Sequence, residues 1–235
     1  MATPLDLQEQ EQVDQLKAFW QQYGNLITWT LTLALGGFAA WNGWNWWQRE
    51  QAIKASSMFD ELERAAQATD AERSARILAD LKERFPRTAY AQQGALLAAK
   101  VQAEKGQTDA ALASLAWASD NADEDEIRTI ARLRAAGLLI DKKQYDAALA
   151  QLDAAASGKN AKEFEALVAD RRGDVLLAQG KQDEARKAYE LAYKAIDEKL
   201  EYRRLIDAKL TALGAAPASV PAPGASAAAA SGGAK

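Results

Sequence analysis

The side chains here that could do chemistry are carboxylates, because a chain of 235 residues with 33 aspartates and glutamates contains neither histidine nor cysteine. Without those two residue types a Ser/His/Asp triad, a thiol nucleophile, a zinc tetrad and a redox CxxC cannot be assembled. No glycine-rich phosphate loop, GxSxG elbow or EF-hand spacing gives any acidic pair a catalytic context. The densest acidic run, Asp120 to Glu126 (DNADEDE), lacks the loop glycine and distal glutamate of a calcium loop. Its residues suit a helix start, where acids cap exposed amides and favour the dipole, so a helix is expected from near Ile127. The chain reads as one that is not an enzyme, takes no cofactor or metal, and works by binding. A net charge of −4 spread over both signs leaves no basic face, so no nucleic acid is expected as partner. The absence of cysteine suits an oxidising compartment but is also common in the cytosol.

Binding residues must be positioned by elements, and the first is marked by charge: residues 18–48 carry no formal charge. Their most apolar part, Leu26 to Trp41, with a flanking turn supplies the roughly 20 helical residues that a bilayer core of about 30 Å requires. Trp20, Tyr23 and Trp29 stand at one end and Trp41, Trp44, Trp46 and Trp47 at the other, as at two membrane interfaces; six of the seven tryptophans belong here. A single transmembrane helix over 25–47 is therefore expected. The acidic residues before it, Asp6, Glu9, Glu11 and Asp14, argue against a cleaved signal peptide at Gly37-Phe38-Ala39, so the anchor is expected to be retained. Thr28, Thr32, Gly36, Ala40 and Gly43 form a small-residue stripe at helical spacing, a candidate docking face for another membrane helix. Local charge, Lys17 before the span against Arg49, Lys54 and Arg64 after it, would put the larger domain inside the cell.

From 48 to 213 the sequence is alanine-rich and helical in period, interrupted by Pro86 and by short turn signals. Three blocks align 37 residues apart: Gly106-Gln107-Thr108-Asp109-Ala110-Ala111, Lys143-Gln144-Tyr145-Asp146-Ala147-Ala148 and Gly180-Lys181-Gln182-Asp183-Glu184-Ala185. Each is followed by a large residue (Leu115, Leu152, Tyr189) and then an alanine (Ala118, Ala155, Ala192). Each is preceded by a small residue (Ala99, Ala136, Gly173) where two helices can cross closely. This pattern resembles the tetratricopeptide repeat, most closely over Gly173 to Ala192; Lys143 departs from the turn glycine, and 37 exceeds the usual period. With a degenerate pair near 50–67 and 71–84, the expected fold is all-α, a transmembrane helix followed by an α-solenoid of about four hairpins. Residues 1–24 are a short N-terminal segment, and 214–235, rich in Ala, Pro, Gly and Ser, are expected to be a disordered tail.

In such a solenoid the first helix of each pair lines a concave face. Counting from the crossing residue selects Gln93, Leu96, Lys100 and Glu104, then Ile130, Leu133, Gly137 and Asp141, then Leu167, Asp170, Asp174 and Ala178. Acids predominate with apolar residues between them, a groove suited to an extended or helical segment bearing basic and apolar side chains.

The order of these parts resembles the YfgM-type ancillary subunits of the bacterial SecYEG translocon. The resemblance is carried by QVDQLKAFWQQYGN at 12–25, the span to Trp47, and RRGDVLLAQGKQDEARKAY at 171–189. It implies a single-pass inner-membrane protein with its C-terminal domain in the periplasm, opposite to the local charge count. Its implied partners are the SecYEG translocon, the periplasmic chaperone PpiD and secretory client proteins. An envelope scaffold, or a cytosol-facing domain that sequesters a response regulator, is the alternative.

Overall fold

The computed structural model describes residues 7–197 and 201–215, and all its regular structure there is helical. The helices are α1 (Leu7–Gln67), α2 (Ala71–Arg84), α3 (Ala89–Glu104), α4 (Thr108–Asn121), α5 (Asp125–Asp141), α6 (Tyr145–Ala156), α7 (Ala161–Ala178), α8 (Gln182–Ala195) and α9 (Tyr202–Ala212). Two compact units divide between Lys54 and Ala55.

The first unit is the larger part of α1, which runs unbroken through the boundaries expected at 24 and 47. Among the described residues no helix is long and apolar enough to cross a membrane. The reason lies in the residues within the uncharged stretch: Thr28, Trp29, Thr30 and Thr32 interrupt its leucines, and Gly36, Gly37 and Asn42 dilute the rest. Even so, Trp20, Leu26, Trp29, Leu33, Phe38, Trp41 and Trp46 are all more than half exposed. The hydroxyls of Thr28, Thr30 and Thr32 donate to the carbonyls of Gly24, Leu26 and Thr28 at 2.7–2.8 Å, and the Asn42 amide donates to Phe38 at 3.0 Å. The three hydroxyl hydrogens and one of the two Asn42 amide hydrogens are thus satisfied by the helix itself.

The second unit is a run of helical hairpins whose turns share one geometry. Thr69, Gly106, Lys143 and Gly180 all have φ between 52° and 80°. At each, the next amide reaches back five residues: Asp70 to Ala65, Gln107 to Gln102, Gln144 to Leu139 and Lys181 to Leu176, at 2.8–2.9 Å. This left-handed closure satisfies carbonyls that a helix end leaves open. The four turns stand 37 residues apart, which places the end of α1 with α2 in the same register as α3/α4, α5/α6 and α7/α8. The four expected hairpins are present, and the degenerate pair is a full member. Side-chain caps are used sparingly: Asp70 accepts from the Arg73 amide and Thr88 from the Ala91 amide.

Packing follows the repeat. Ala111, Ala148 and Ala185 are wholly buried, as are Ala118, Ala155 and Ala192. At the crossing, Ala99 and Ala136 are matched with Leu115 and Leu152, whereas Gly173 is matched with the larger Tyr189; a Cβ at 173 would stand 2.4 Å from that ring. The first hairpin puts Leu62 at the crossing position, and Gly94 on α3 makes room, since a Cβ there would come within 3.0 Å of Leu62. Ser74 takes the place of the repeat's buried alanine, its hydroxyl buried with no hydrogen-bond partner.

Two findings go beyond the expected layout. Helix α9 follows the last hairpin and is closed beyond its end by Gly214, with φ 73°, and by Ala215 donating to Leu210. The acidic run after Asp120 leads into α5, which begins at Asp125, two residues before the expected start. Of the tail expected over 214–235, residues 216–235 lie outside the described residues, as do residues 1–6.

Candidate functional site

An open groove of about 610 Å³ lies along the first helices of the later hairpins. Its walls are Lys100 and Glu104 from α3, Leu133, Arg134, Gly137 and Asp141 from α5, and Arg171 and Asp174 from α7. Ala99, Ala103, Leu115 and Leu138 give it an apolar floor. Lys100 and Glu104 also border a smaller recess of about 220 Å³ with Glu63, Gln67 and Leu97, so the groove continues onto the first hairpin.

The structure brings together Lys100, Glu104, Leu133, Gly137, Asp141 and Asp174 of the residues selected by counting along the repeats. Gln93 is exposed on the early part of α3 and lines neither recess, and Ala178 is likewise exposed and outside them. Leu96 is buried, its carbonyl accepting from Arg134 at 3.2 Å, while Ile130 and Leu167 are half-buried. Counting along the repeats does not select Arg134 and Arg171, which occupy equivalent positions 37 residues apart. With Lys100 they make the groove mixed in charge: Lys100 lies 3.8 Å from Glu104, and Arg171 donates to Asp174 at 3.2 Å.

Asp170 is the clearest departure. Only 1% exposed, it lies beneath α9, receiving Lys209 Nζ on both oxygens at 2.8 Å and the Tyr202 hydroxyl at 2.7 Å. Asp174 accepts Lys209 at 2.7 Å and the Tyr189 hydroxyl at 2.8 Å. Burial, and after it these bonds to carboxylates, push both tyrosine hydroxyls well above their ordinary pKa, because the charged phenolate would be desolvated beside an anion. Ile206 and Leu210 bury the apolar side of α9 in the same cluster as Tyr189. The last repeat's acidic pair is therefore engaged within the chain, since residue spacing indicates which face a side chain shares but not what lies on it.

The arrangement can recognise a chain segment by shape and charge. Among the described residues no group of three acids could hold a metal ion. In the DNADEDE run, Asp123 accepts from Gln92 at 3.3 Å and Asp125 pairs with Arg128.

Comparison with known proteins agrees with this geometry. The tetratricopeptide repeat-like domain family matches residues 17–215, and the repeat reading from sequence is borne out. The chain is 30% identical over 132 residues to the ancillary SecYEG translocon subunit of Haemophilus influenzae, covering 56% of this chain and 64% of that relative, less than two thirds of its length. That relative is of the kind the sequence resembled. With hairpins, left-handed turns and family match coinciding over most of its length, the chain belongs to the tetratricopeptide repeat-like domain family.

Proposed function

We propose that this chain is a non-enzymatic protein-binding subunit that associates with the SecYEG translocon and links emerging secretory proteins to periplasmic chaperones such as PpiD. The observation that carries the reading is its likeness to the ancillary SecYEG translocon subunit of Haemophilus influenzae. In this reading the aromatic-rich part of α1, residues 25–47, seats the chain in the inner membrane and the repeat domain stands in the periplasm. Support for the membrane seat comes from the exposed tryptophans and leucines of α1 and from threonine hydroxyls already bonded within the helix, which lowers the cost of their leaving water. A helix of such marginal hydropathy suits a place beside other membrane helices. The stripe of Thr28, Thr32, Gly36, Ala40 and Gly43 is the face we assign to that contact, where a close approach would bury the polar positions away from lipid.

The repeat domain then works by adjacency. Confinement near the translocon raises the local concentration of the groove for chains emerging there, so modest affinity suffices and no energy source is needed. The groove residues proposed for contact are Lys100, Glu104, Leu133 and Asp141, while Asp174 at the far margin is held by Tyr189, Lys209 and Arg171.

Topology and association test the reading together. A reporter that folds only outside the cytoplasm, fused after residue 235, should be active in a membrane-retained full-length fusion, and SecYEG should co-purify from mild detergent. An inactive reporter would put the repeats in the cytoplasm and favour sequestration of a response regulator; absence of SecYEG would remove the translocon role.

A further inference from the structure

A glycine inside a helix needs a reason, because it is disfavoured there relative to alanine. Gly173 and Gly94 have one in the close approach of Tyr189 and Leu62. Gly137, within α5, has none in the packing: a Cβ built on it meets nothing nearer than the Arg171 guanidinium at 3.9 Å, an ordinary contact. It lies instead in the wall of the open groove, flanked by Leu133, Leu138 and Asp141. One repeat earlier and one later the same position carries Lys100 and Asp174, long or charged side chains that face the same groove.

Deepening the protein-binding reading and resting on it, we infer that Gly137 keeps open a side-chain subsite. It takes a bulky apolar residue of a helical partner segment, while a lysine or arginine of that segment meets Asp141. The chain contains an example of this chemistry at the next repeat: α9 lies against α8 and α7 with Ile206 and Leu210 buried and Lys209 on Asp170 and Asp174. Lysine and apolar anchor there are one turn apart on one helix face. Asp141 is exposed beside an apolar floor and offers the same pairing to a segment from outside.

The test uses the full chain in detergent and two fluorescein-labelled amphipathic helical peptides, one of phenylalanine, leucine, alanine and lysine, the other with glutamate for lysine. Wild type should bind the lysine peptide at least tenfold more tightly than the glutamate peptide. Gly137→Leu should weaken that binding at least tenfold with an unchanged or higher melting temperature, and Asp141→Lys should weaken it with no loss of helicity. Equal affinity in wild type and Gly137→Leu, or no binding by wild type, would overturn the subsite, and a lowered melting temperature in Gly137→Leu would show a packing role instead. SecYEG co-purification, measured on the same variants, is assigned to α1. Its absence in wild type would sink the translocon reading while the peptide result stood.

Discussion

Single residues show where the repeat is compromised. Ser74 sits where the other hairpins bury alanine, and its hydroxyl is buried with no partner. Such a group costs about 1–3 kcal/mol, so Ser74→Ala should stabilise the fold by about 1 kcal/mol, read as a higher denaturant midpoint at unchanged slope. Gly173 is the opposite case. Its added methyl would stand 2.4 Å from the Tyr189 ring, which is held by Asp174, so Gly173→Ala should destabilise by about 1–3 kcal/mol despite alanine's better helix propensity. A calorimetric melt of the two variants would give shifts of opposite sign. The recurrence of Gly173 and Tyr189 as a small and a large residue was legible from spacing, though not that the ring lies on the glycine of its own hairpin. Ser74 was not, since a serine in an alanine-rich helix looks like an exposed residue until the register is known.

The turns and α9 set the limits of what elements reveal. The turns at Thr69 and Lys143 adopt a left-handed conformation that costs a residue with a Cβ roughly 1 kcal/mol, and more when it is β-branched. Lys143→Gly and Thr69→Gly should each stabilise by about 0.5–1 kcal/mol, part of the gain being offset by glycine's freedom in the unfolded chain, as urea unfolding would measure. The lack of glycine at Thr69 is also why the first hairpin looked degenerate: the turn kept its geometry after the diagnostic residue had gone. Helix α9 was hidden for another reason. Its anchors are Tyr202, Ile206, Lys209 and Leu210, which carry no repeat signature, so spacing alone leaves Asp170 and Asp174 as open acids. Lys209→Met would leave the buried Asp170 charge uncompensated and should cost about 3 kcal/mol, largely restored by adding Asp170→Asn. The tyrosines add a pH dependence. An unfolded tyrosine ionises near pH 10, whereas Tyr189 and Tyr202 keep their protons well above that, so the folded state binds more protons in alkali. Their contribution is complete below about pH 10 and declines as pH rises further; Tyr202→Phe should flatten that decline in a series of denaturation midpoints.

At the scale of the whole molecule, the hairpin architecture was legible because 37-residue self-similarity survives in three of four hairpins, and a shared period is a stronger signal than any one motif. The groove was legible in outline, through Lys100, Glu104, Leu133, Gly137 and Asp141, because helical register alone assigns a face. Its two arginines were not, since Arg134 and Arg171 stand one residue beyond the positions that counting selects. The amides of Asp70, Gln107, Gln144 and Lys181 make the same hydrogen bond, one in each hairpin, so they form a matched set of clocks for solvent deuterium. Because each hairpin of a repeat array contacts only its neighbours, their uptake rates can be compared directly, and their ranking would report from which end the array opens.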